Sequence, residues 1–194
     1  ALKHIYKNEE WQIFIGTITE TDRLHHFFFD SARSGEYHDI FIRFYQMLDK
    51  FLWEMFQESQ KDNALFLTCS DHGFTTITTE VYANRYLMQH GLLSFSGRED
   101  FGAITSDSSA FSLDPARIYI HLKDTYARGK VDTGDYDTLR NEIKDLFEKL
   151  YYEGKKTVKK VYFKEDIFSG DCFDKAPDLY ILAEPGFDMK SSLK

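Results

Sequence analysis

Ala64-Leu65-Phe66-Leu67-Thr68-Cys69-Ser70-Asp71-His72-Gly73 is the stretch on which the reading of this chain turns. A short apolar run bounded by polar residues reads as a buried strand. Here the run delivers a carboxylate, an imidazole and a glycine at its C-terminal end. Open α/β sheets hold their ligands outside the carboxyl ends of their strands. The same grammar occurs earlier in the chain. Gln12-Ile13-Phe14-Ile15-Gly16-Thr17-Ile18-Thr19 reads as a strand and is followed by Thr21-Asp22-Arg23-Leu24-His25-His26. Paired oxygen and nitrogen donors suit zinc, manganese or another divalent cation.

The spacing within each motif sets what it can do. Asp22 and His26 are four apart, so a helix starting after the first strand points both side chains the same way and lets them share one metal. Asp71 and His72 are adjacent, and neighbours on a strand face opposite sides. They can share a metal only at a turn, for which Gly73 would supply the chain reversal. Otherwise they face two metals roughly 4 Å apart. An Asp-x-x-x-His match is expected about once by chance in such a chain, so context carries the argument. The alternative is that Asp22 caps a helix while His26 and His72 are hydrogen-bonded inside the fold.

Around these motifs the pattern alternates strand and helix. Residues 2–10 read as the tail of a helix, 12–19 as a strand and 22–33 as a turn or helix start. Residues 37–60 read as a long helix with an apolar stripe through Ile40, Phe41, Phe44, Met47, Leu48, Phe51, Leu52, Met55 and Phe56, expected to be core. After the 64–69 strand, a helix over 78–90 ends at Gly91, a C-cap residue. Residues 97–109 are polar and loop-like. Strands are expected at 111–113 and 117–122, joined by an Asp114-Pro115 turn. A helix follows over 135–151, and strands near 157–163 and 178–183 complete the order. This predicts an α/β fold with a largely parallel sheet flanked by helices.

Composition narrows the function classes. The chain has 194 residues, enough for one domain or one lobe of a larger one. A net charge of −8 argues against nucleic-acid binding through a basic surface. An acidic protein still binds phosphate esters where metal ions supply the positive charge. No stretch approaches the roughly 20 apolar residues of a membrane span. Cys69 is expected as a free thiol in a buried strand, and with only Cys172 beside it no disulfide framework forms. Free thiols fit a reducing, cytoplasmic setting.

Thr21-Asp22-Arg23-Leu24-His25-His26-Phe27-Phe28 and Cys69-Ser70-Asp71-His72-Gly73-Phe74 resemble the metal motifs of the alkaline phosphatase superfamily, and most nearly its type I phosphodiesterase/nucleotide pyrophosphatase branch. The resemblance continues through Tyr82-Ala83-Asn84-Arg85-Tyr86-Leu87, Gly91-Leu92-Leu93, Arg117-Ile118-Tyr119-Ile120-His121-Leu122 and Ala176-Pro177-Asp178-Leu179-Tyr180. It implies an alkaline-phosphatase-like fold and a hydrolase of phosphodiester or nucleotide pyrophosphate bonds with two divalent ions, zinc or manganese. Asp22 and His26 would hold one ion, and Asp71 and His72 the other. The partner implied is a small phosphate ester or nucleotide. Phosphoglycerate mutase, monoester phosphatase and sulfatase are related activities, and a non-catalytic α/β binding domain is the reading from another class.

The resemblance also implies residues that have no counterpart here. The family's Thr or Ser nucleophile and its first Asp lie far upstream of the first motif, and its last His lies beyond the Pro-Asp-Leu strand. Only 21 residues precede Asp22, and no histidine follows His121. Residues 1–194 are therefore expected to be the middle and C-terminal part of a single catalytic domain, inactive in isolation.

Other polar residues carry plainer expectations. His25 competes with His26 as a ligand, but the four-residue spacing favours His26. His121 is expected to be packed or exposed within a strand, and His90 to sit at a helix C-terminus. Asp178 begins a strand in a structural role. Ser70 and Thr68 lack a base and are not nominated as nucleophiles. Asp107 and Ser109 fall in a solvated loop. Lys155, Lys156, Lys159 and Lys160 are expected to form a solvated face.

Overall fold

A computed structural model of the chain describes residues 1–32, 35–97 and 101–193. Residue 33 of the expected 22–33 segment and residues 98–100 of the expected loop lie outside the described residues. In chain order the elements are α1 (Leu2–Asn8), α2 (Glu20–Phe28), α3 (His38–Lys61), β1 (Thr79–Tyr82), α4 (Ala83–Gln89), β2 (Ala110–Phe111), β3 (Arg117–Ile120), α5 (Tyr136–Glu148), β4 (Tyr151–Tyr152), β5 (Lys155–Lys156), β6 (Val158–Phe163), α6 (Lys164–Ile167), β7 (Leu179–Ala183) and β8 (Phe187–Lys190), with short 3₁₀ turns between them. The class is mixed α/β, as the sequence predicts. Contacts divide the chain into two units, Ala1–Thr76 and Ile77–Lys194.

The first unit is helical. α1 docks on α3 through Lys3–Glu54 at 2.6 Å, Lys7–Glu58 at 3.0 Å and the Tyr6 hydroxyl donating to Asp62 at 3.0 Å. Tyr6 is buried, with the rings of Trp11 and Phe14 packed on it. The expected strands at 12–19 and 64–69 are not formed, because neither segment has a ladder partner among the described residues. A strand exists only where another strand accepts its backbone hydrogen bonds, and sequence periodicity does not supply one. Ala64 and Phe66 are half-buried while Leu65 and Leu67 are exposed, so the strand-like alternation survives without the ladder. Cys69 is consequently exposed rather than buried. The stripe of α3 is likewise only partly covered. Phe41 and Met55 are buried, whereas Ile40 and Met47 face solvent, because among the described residues of this unit no sheet forms to cover them.

The second unit holds a four-stranded sheet in the order β2-β3-β7-β6, with antiparallel pairings, and a parallel pair formed by β1 and β8. Alternation decides which residues go inside. Ile118 and Ile120 of β3 and Leu179 and Ile181 of β7 are fully buried, while Arg117 and Leu182 are exposed. α5 contributes Ile143 and Phe147, four apart on one face, and burying each stabilises the fold by about 2 kcal/mol. Residues 79–82, expected as the first turn of a helix, instead pair with β8, so α4 starts at Ala83. α4 ends as expected: Gly91 adopts a φ of +70° just beyond it.

Candidate metal centre

Both motifs lie in the first unit. α2 carries Asp22 in its first turn and His26 in its last, and the helical spacing brings His26 Nε2 to 3.5 Å from Asp22 Oδ1. Both side chains are exposed. Asp71 and His72 follow residues 64–69 as a turn. The Ser70 hydroxyl donates to the His72 carbonyl at 2.5 Å, and the His72 amide donates to Asp71 Oδ1 at 3.1 Å. This bend lets adjacent residues meet, with His72 Nε2 3.5 Å from Asp71 Oδ2. Gly73 does not provide the reversal by a left-handed conformation, and a Cβ there would touch nothing within 4 Å. The local hydrogen bonds of Ser70 and Asp71 make the turn instead.

The His72 ring is oriented by the main chain. Its Nδ1 lies 2.9 Å from the Gly73 carbonyl, which only accepts, so Nδ1 carries the proton. Nε2 is the nitrogen that faces Asp71. A ligating histidine commonly has this arrangement, its other nitrogen fixed by a carbonyl. The Gly73 carbonyl first, then the Asp71 carboxylate, raise the pKa of His72 above the ordinary imidazole range, against the opposing effect of burial. Asp22 adds to this field, so the two motifs lie within electrostatic reach of one another.

Phe74, to which the sequence assigned no role, packs against both motifs. Its ring centroid is 5.0 Å from that of His26 and 6.1 Å from that of His72. The Thr76 hydroxyl donates to Asp30 at 2.7 Å and ties the segment after the second motif to the turn after α2. The signal for Phe74 in the sequence was only its place directly after Gly73. His25 also touches Phe74, with ring centroids 4.9 Å apart, but its nitrogen is engaged elsewhere. Its Nε2 meets the Tyr45 hydroxyl at 2.6 Å, and its ring stacks on Phe41, which makes it a packing residue of the aromatic cluster.

The donor chemistry fits divalent ions, since each pair offers one carboxylate and one imidazole nitrogen. The set is incomplete: among the described residues no group of three or more His, Cys, Asp or Glu side chains could hold a metal ion. In the second unit, His121 is buried and its Nδ1 contacts the Ser108 carbonyl at 2.9 Å, a packed role. Asp178 is buried too, accepting from the Ile120 amide at 2.7 Å and from Lys164 Nζ at 3.3 Å.

Fold and side chains together define an α/β protein that carries two carboxylate–imidazole pairs, Asp22–His26 and Asp71–His72. The family model described as type I phosphodiesterase / nucleotide pyrophosphatase matches residues 1–194, and the chain belongs to that family. No curated protein and no solved structure matches it. The family is hydrolytic, is generally metal-dependent and acts on small phosphate esters and nucleotides. Among the described residues no helix is long and apolar enough to cross a membrane.

Proposed function

We propose that residues 1–194 form part of a single catalytic domain that hydrolyses phosphodiester or nucleotide pyrophosphate bonds at a two-metal site. Asp22 and His26 would hold one ion and Asp71 and His72 the other, zinc or manganese in each case. The observation that carries this reading is the shared placement of the two donor pairs: both lie in one unit, both face Phe74, and Asp22 acts on the field at His72. Bound metal ions would polarise a phosphoryl oxygen and stabilise charge on the attacking and leaving oxygens. The side chains of this chain would fix the positions of those charges, with the Gly73 carbonyl holding the His72 tautomer. Two donors per ion leave each shell open, so further ligands and a Thr or Ser nucleophile would come from outside this chain. Both cysteines are free and exposed, which a reducing cytoplasmic compartment preserves.

One observation favours a second reading. With fewer than three donors converging among the described residues, a non-catalytic α/β domain that kept the fold without the chemistry is consistent with the geometry. Metal content separates the two. The full-length protein should contain about two divalent ions per chain and cleave an aryl phosphodiester. Asp71→Asn and His72→Ala should each lower turnover by about 100-fold or more, since residues behind the ligands already cost about 10- to 100-fold. A metal-free protein, or variants with undiminished turnover, would refute the proposal.

A further inference from the structure

Residues 151–160, Tyr-Tyr-Glu-Gly-Lys-Lys-Thr-Val-Lys-Lys, carry four lysines and one glutamate, a net charge of 4 − 1 = +3 in a chain whose total is −8. β4 and β5 close as a hairpin with Tyr151 opposite Lys156 and Tyr152 opposite Lys155. Glu153 and Gly154 form its tip with φ of +49° and +76°, the two positive values of a type I′ turn. All four paired side chains are exposed, Tyr151 at 59% and Tyr152 at 49%. A bulge between Val158 and Lys160 of β6 then leaves both Lys159 and Lys160 exposed between the buried Val158 and Val161. None of the four lysines pairs with a carboxylate among the described residues. Lys160 lies over the Tyr162 ring at 4.3 Å, and Lys156 feels Glu148, which is already bonded to Lys144 at 2.9 Å.

We infer that this hairpin docks on an anionic phospholipid surface. Successive residues of a strand face opposite sides, so each face of the hairpin shows one tyrosine and one lysine. Single-stranded nucleic acids stack successive bases on aromatic side chains along a groove, and here the two tyrosines face opposite sides of the hairpin. A hairpin lying against the headgroup layer uses both faces, the segment's four lysines outweighing the single exposed carboxylate of Glu153 at the tip. Tyrosine settles at that depth with its ring among acyl chains and its hydroxyl in water. Lysines beside it meet the negative surface potential, and Lys159 and Lys160 extend the cationic contact behind the tip. The acidic remainder of the chain would be repelled, so docking orients the molecule hairpin first.

The test is sedimentation of the whole protein with vesicles of phosphatidylcholine mixed with phosphatidylserine, against vesicles of phosphatidylcholine alone. Binding should favour the mixed vesicles and weaken as salt rises. Lys155→Gln with Lys156→Gln should lower the affinity by roughly 25-fold, about fivefold for each lysine. Tyr151→Ala with Tyr152→Ala should also lower it, with the charge unchanged. Lys50→Gln with Lys175→Gln, an equal charge change at exposed lysines elsewhere, should leave it unaltered. Equal binding to both vesicles, or to neither, would overturn the inference. So would equal losses in the control variant, an unaffected hairpin variant, or preference for a single-stranded oligonucleotide.

Discussion

Asp178 shows how much a single buried carboxylate can organise. It accepts from the Ile120 amide in β3, from Lys164 at the start of α6 and from the Tyr136 hydroxyl at the start of α5. Burial first, then the Asp178 hydrogen bond, push the Tyr136 phenol far above its usual range, so its proton stays on the donating side. Asp178→Ala would leave a half-buried cation and a buried amide without their acceptor, and we expect a loss of about 3 kcal/mol in denaturant unfolding. A change within about 0.5 kcal/mol would show that the three contacts are incidental. At this scale the sequence was informative where spacing alone fixes geometry. Asp22 and His26 were readable because four residues make one helical turn. Phe74 was not, since nothing in an aromatic side chain says which rings it will lie against.

Helices were more legible than strands, for a physical reason. A helix closes its hydrogen bonds within itself, so α1, α3 and α5 formed close to where periodicity put them. A strand needs a partner remote in sequence, and segments 12–19 and 64–69 lack one among the described residues. Residues 79–82 went the other way, because β8 was available to pair with them. The docking of α1 on α3 leads to a pH prediction. The hydrogen bonds from Lys3 to Glu54 and from Lys7 to Glu58 hold both carboxyls below their ordinary pKa. Folded values lower than unfolded ones mean this contribution is complete above the unfolded carboxylate pKa, about 4.3, and is lost as pH falls through the folded values. Trp11 packs on Tyr6 and donates to its carbonyl at 3.0 Å, so its fluorescence should report release of α1 in that acidic window. Fluorescence that is flat throughout it would count against the ion pairs as the clamp.

At the scale of the molecule, the two units differ in kind. The second has a continuous apolar core running from Ala83 to Met189, built by β3, β6, β7, α4 and α5. A polypeptide of residues 77–194 should therefore unfold in one cooperative transition by circular dichroism. A gradual, non-cooperative melt would mean that the core is insufficient by itself. The first unit carries all four candidate ligands yet leaves Ile13, Ile15, Leu65 and Leu67 exposed. The α/β class and the donor pairs were legible in the sequence. The division into units was not, because it depends on which strands find partners.

The bond from His72 to the Gly73 carbonyl bears on inheritance. The atom that selects the tautomer belongs to the peptide backbone, which every amino acid supplies. Position 73 has open space around it and needs no left-handed backbone. Drift of the side chain there would leave the ring's orientation untouched, so this part of the site is protected against point mutation at its own supporting residue.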